Sequence, residues 1–104
     1  MNYGLSQRTM NSMEKIFHKY ENIEQVVLYG SRAKGNYRNG SDIDIALRTD
    51  DTFTHTHLLR VAGDFNDSDI PYLVDISQYD KIDNQDLKEH IDRVGKVIYR
   101  KKAA

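Results

Sequence analysis

The sequence predicts an α/β fold in which a small mixed β-sheet is packed by helices. Helical and strand periodicities alternate along the chain in the order αβ(loop)βαβα(β), and a glycine-rich segment without apolar period separates the first two strands. At 104 residues, the span 1–104 is expected to form one domain around one small core.

Each element has its own signal. Met10, Met13, Phe17 and Tyr20 recur at helical spacing while Arg8, Glu14, Lys15 and Lys19 fill the other positions, which predicts an amphipathic helix from about Ser6 to Tyr20, with Ser6 as N-cap. Gln25 to Tyr29 is a β-branched and aromatic run, suited to a strand buried on both faces. Gly30 to Ser41 holds three glycines, two asparagines and three cations, and reads as a loop with room for one helical turn. Asp42 to Leu47 alternates, with Ile43, Ile45 and Leu47 on one face and Asp42, Asp44 and Ala46 on an open one. Leu58, Leu59, Ala62 and Phe65 predict a helix from roughly Thr54 to Asn66, and Pro71 punctuates the following turn. Tyr72 to Ser77 reads as a third strand. Leu87, His90, Ile91 and Val94 mark a last helix ending before Gly95, and Lys96 to Arg100 adds a short strand.

Composition narrows the function. Fifteen basic side chains against sixteen acidic ones give a net charge of -1, so direct nucleic-acid binding is not expected and any anion site must be local. The absence of cysteine removes disulfides, thiolate metal sites and cysteine nucleophiles, and fits a cytoplasmic setting. No apolar run approaches the length of a membrane span or a signal-peptide core.

The chemistry lies in the acids and the loop before them. Side chains two apart on a strand project together, so Asp42 and Asp44 form a carboxylate pair that calls for a cation between them. Hard oxygen donors suit magnesium, and magnesium favours one or two carboxylates plus substrate phosphates. Asp75 is the third acid. If its strand lies beside the first pair, three carboxylates share a face, an arrangement that can hold two ions for phosphoryl displacement. Gly30 allows close backbone approach, Ser31 offers a hydroxyl and an amide, and Arg32 and Lys34 add positive charge for phosphates. The P-loop pattern is absent.

Gly30-Ser31, ten intervening residues, then Asp42-Ile43-Asp44 resembles the GS(x10)DxD signature of the DNA polymerase β type nucleotidyltransferases. Four fixed residues over about ninety starting points coincide by accident on the order of once in a thousand such chains. The chain is most similar in kind to the minimal nucleotidyltransferases, the short members that accompany a helical HEPN-type partner. Lys34 departs from the commonest text of that family, GSRARG, which has arginine there. The resemblance implies a palm-like nucleotidyltransferase fold. It also implies two magnesium ions on Asp42 and Asp44, with Asp75 joining them and helping to activate the acceptor hydroxyl. Gly30 and Ser31, with Arg32 and Lys34, would hold the phosphates of ATP. The implied reaction is AMP transfer with release of pyrophosphate, onto a tyrosine of the HEPN partner, the chain acting as an antitoxin.

Two other functions share these residues. One is transfer to a small-molecule acceptor, for which a chain of this length is not expected to supply a pocket. The other is a binding module that neutralises a partner by contact, which has no need of three converging acids. The remaining features read as structural. His55 and His57 form an exposed polar pair without a third ligand. His18 and His90 are partly buried or surface residues, Met10, Met13 and Phe17 a core or partner-facing stripe, and Arg100, Lys101 and Lys102 a solvated end. Some of the seven tyrosines are expected on a partner surface.

Overall fold

The computed structural model describes residues 3–102. Helix α1 spans Gln7–His18, strand β1 Ile23–Tyr29, the short helix α2 Gly30–Lys34 and strand β2 Ile43–Thr49. Helix α3 (His55–Asp67), strand β3 (Val74–Gln78), a 3-10 turn at Tyr79–Lys81, helix α4 (Gln85–Val94) and strand β4 (Lys96–Arg100) follow. The four strands form one mixed sheet in the order β3-β2-β1-β4. β1 runs antiparallel to β2 and to β4, whereas β2 and β3 are parallel. A parallel pair needs a crossover, and α3 supplies it. Among the described residues, no helix is long and apolar enough to cross a membrane.

Local chemistry sets the helix ends. The Ser6 side chain accepts the Thr9 N–H at the start of α1. At α3, Thr54 and His57 form a capping box: the Thr54 hydroxyl accepts the His57 N–H, and His57 Nδ1 accepts the Thr54 N–H at 3.0 Å. His57 is thereby engaged in capping, beside an exposed His55.

Alternation along β1 divides the core between the two sheet faces. Val26 and Leu28 join Ile43, Ile45 and Leu47 beneath Met13, Ile16 and Phe17 of α1 and Val61 and Phe65 of α3. Val27 and Tyr29 pack on the other face with Ala46 and Ile91 of α4. This second cluster corrects the expected open face of β2. Ala46 is fully buried because the apolar stripe of α4 must itself be covered, and this face of β1 and β2 covers it. Asp42 lies one residue ahead of β2 and is exposed.

The chain's basic end is also tied in more closely than a solvated tail. Arg100 pairs with Gln25 within the sheet, and Lys101 donates from its backbone to Glu24 and from Nζ to the Glu21 carbonyl.

Phe17 is 1% exposed, and its ring meets those of Phe65 and Tyr99 at 5.9 and 5.5 Å, so it joins α1 to both α3 and β4. Phe17→Ala is expected to destabilise the protein by about 3–5 kcal/mol, measured by urea unfolding.

Candidate active site

Register assembles the site. On β1 and β2, Tyr29 stands opposite Asp44; on β2 and β3, Asp44 stands opposite Asp75. Residues opposite each other in adjacent strands project to the same face, so a single row across the sheet carries the end of β1, the second acid and the third acid. Asp42, two residues before Asp44, flanks the same row from the turn that enters β2.

Gly30 follows Tyr29 directly and opens α2 with φ +75°, a conformation that a side chain would strain. A Cβ at this position would also run into the Asp44 carboxylate. The positive φ favours glycine, a side chain here would have to push the Asp44 carboxylate aside, and the turn carrying Ser31 lies against the acid. Ser31 is partly buried, and its carbonyl accepts the N–H groups of Gly35 and Asn36 at 2.9 and 3.1 Å. Lys34 is exposed at the last residue of α2.

Arg32 departs from its expected place among phosphate ligands. It is 2% exposed, with Nε and Nη2 donating to the Ser41 carbonyl at 3.1 and 2.8 Å and Nη1 to the Tyr3 carbonyl at 3.0 Å. The rings of Tyr72 and Tyr37 lie 4.6 and 5.1 Å from the guanidinium carbon. A cation so enclosed is held inside the fold, where it ties α2 to the residue before Asp42 and to the segment leading into β3.

Asp44 is half-buried, whereas Asp42 and Asp75 are exposed. Burial pushes the Asp44 carboxyl up, and the charges of Asp75 and Asp42 push it further. Burial likewise raises the Tyr29 hydroxyl, and Asp75 and Asp44 add to that effect. Three carboxylates on one face offer the hard oxygen donors that suit magnesium. Their side chains do not close on a common point: among the described residues, no three His, Asp or Glu form a metal-holding group.

His90 is the site residue that sequence reasoning placed only as partly buried or on the surface. Its Nε2 accepts the Gly30 N–H at 3.2 Å, and its ring meets that of Tyr29 edge-on at 6.1 Å. The one signal was its membership of the stripe Leu87, His90, Ile91, Val94. That stripe predicts an inward-facing position and says nothing of what the ring meets.

Residues 11–104 match the family described as "Polymerase beta, Nucleotidyltransferase". The chain belongs to that family. As a member of the polymerase β nucleotidyltransferases, it is 32% identical over 73 residues to a Haemophilus influenzae protein named "Probable protein adenylyltransferase MntA". The match covers 70% of this chain and spans 63% of that relative's length. Among solved structures, this nucleotidyltransferase is similar to a toxin–antitoxin crystal structure with AMP-PNP, at 22% identity and a TM-score of 0.72. That match covers 89% of this chain and 74% of the other. It is also similar to a complex of tri-AMPylated Shewanella oneidensis HEPN toxin with MNT antitoxin, at 20% identity and a TM-score of 0.69, over 93% of this chain and 74% of the other. At these identities the likeness establishes the nucleotidyltransferase fold.

The raised Asp44 carboxyl has a consequence for stability. The folded chain holds that proton more tightly than the unfolded chain, so the contribution of Asp44 to stability is fully present below the ordinary value of 3.8 and is lost as pH rises through the raised one. Without divalent ions, Asp44→Asn is expected to raise the melting temperature at pH 7. The gain should vanish below about pH 3.8, as followed by circular dichroism.

Proposed function

We propose that the protein is a magnesium-dependent nucleotidyltransferase that moves AMP from ATP to a hydroxyl on a partner protein. The observation that carries this reading is the row Tyr29–Asp44–Asp75, with Gly30 seated on Asp44. It joins a close-approach turn to a carboxylate cluster, which is what a metal-bound polyphosphate requires.

Asp42, Asp44 and Asp75 are the residues that would hold magnesium. When bound, the ions neutralise developing charge on the phosphates and lower the cost of ionising an attacking hydroxyl. The chain's own groups account for the rest. Ser31 and the Gly30 turn hold the terminal phosphates, and exposed Lys34 adds positive charge beside them. Arg32 is left out of this set because its donors are engaged with carbonyls. The acceptor oxygen forms a bond to the α-phosphorus, the bond from that phosphorus to the bridging oxygen breaks, and pyrophosphate leaves. The hydroxyl proton passes toward the Asp75 carboxylate, which is exposed on the edge strand β3.

The partner is proposed to be a helical HEPN-type protein modified on tyrosine, with this chain as its antitoxin. The names of the H. influenzae relative and of the Shewanella complex support that choice. Asp75 is exposed on β3, an edge strand of the sheet, where a side chain of another protein can reach it.

Incubating the protein with labelled ATP, magnesium and a co-expressed HEPN partner should transfer label to the partner, and excess chelator should stop it. Label on a free metabolite would move the acceptor to a small molecule. Asp44→Asn should abolish transfer. Asp75→Asn should keep most of the MgATP affinity measured by calorimetry and lose at least about 10²-fold in single-turnover rate. Full activity in either variant would remove the assigned roles.

A further inference from the structure

We infer that His90 is a positioning residue for the phosphate turn: by accepting the Gly30 N–H it fixes the Tyr29–Gly30 peptide and, through it, the placement of Ser31. The inference rests on the nucleotidyl-transfer reading of that turn and adds a residue that the motif does not contain.

The need for such a tie is physical. At Gly30 the chain leaves the β1 ladder, adopts φ +75° and carries no side chain to restrict its rotation. A glycine in this position is conformationally permissive, so something outside the turn must select one orientation of its peptide. His90 meets it at 3.2 Å. The acceptor is Nε2, which places the ring proton on Nδ1. The histidine is itself held from two sides. Its ring stands edge-on to Tyr29 at an interplanar angle of 83°, and the next residue, Ile91, is 2% exposed in the cluster with Val27, Tyr29 and Ala46. α4 is thus seated by Ile91, and His90 extends that seat to the turn.

A residue serving packing alone would affect melting temperature and leave nucleotide affinity untouched. A positioning residue should affect the Michaelis constant for ATP and be replaceable by another acceptor at similar reach. His90→Gln retains such an acceptor in its amide oxygen, and His90→Ala retains none. MgATP titration, steady-state transfer to the partner and hydrogen exchange at the Gly30 amide would be measured on the full chain for all three proteins.

His90→Ala is expected to weaken MgATP binding and raise the ATP Michaelis constant by about five- to tenfold, the ordinary worth of one hydrogen bond, with turnover within about threefold. Gly30 exchange should quicken, and His90→Gln should restore affinity to within about threefold of the parent. Unchanged affinity and Gly30 exchange in His90→Ala would overturn the inference. So would a His90→Gln variant that folds normally and binds as weakly as His90→Ala. Parent protein that binds no MgATP would instead sink the nucleotidyl-transfer reading on which the inference stands.

Discussion

The site depends on the pairing register of β2. This strand is held antiparallel by β1 and parallel by β3, and both ladders place their partners opposite Asp44. A slip of one residue against either neighbour would turn the strand's side chains to the other face. Ile43, Ile45 and Leu47 would then leave the cluster formed with α1 and α3, and Asp44 would enter it. Apolar burial on both sides of β2 therefore protects the register. The acids inherit their placement from hydrophobic residues beside them.

Arg32 shows a second use of the same economy. Enclosing a guanidinium is costly unless its donors are satisfied, and here they meet two backbone carbonyls while two tyrosine rings cover the faces. The elements joined are those that the proposed chemistry uses: α2 with Ser31, the residue before Asp42, and Tyr72 ahead of β3. α4 ties the same turn from the opposite side through His90. A five-residue helix too short to be stable alone is thus held between two side-chain anchors.

Several tyrosines are also engaged within the chain. Tyr20 donates to Asp64 at 2.5 Å, burial and then this bond raise its hydroxyl to about 12, and Lys19 reaches the same carboxylate at 3.1 Å. Tyr79 donates to Asp92 and lies beneath Arg48 and Lys88, and Tyr99 meets Phe17. These tyrosines serve cohesion: each ring adds apolar area, and the Tyr20 and Tyr79 hydroxyls keep carboxylate partners.

By itself, the sequence determined the helices and strands, because periodicity and caps are local. Ser6 caps α1, and Leu87, Ile91 and Val94 mark the inward face of α4. The spacing from Gly30-Ser31 to Asp42 and Asp44 was equally legible, since a turn followed by an acid-bearing strand lies within one short stretch of chain. Pairing was not, because strand order and register depend on contacts between segments far apart in sequence. The meeting of Asp75 with Asp44, the closure of α4 over Ala46, and the Gly30–His90 bond across sixty positions are of this kind. Arg32 is the sharpest case: in the sequence it is a cation beside a phosphate-binding turn, and only the carbonyls of Tyr3 and Ser41 and the rings of Tyr37 and Tyr72, brought together by folding, draw its charge inward.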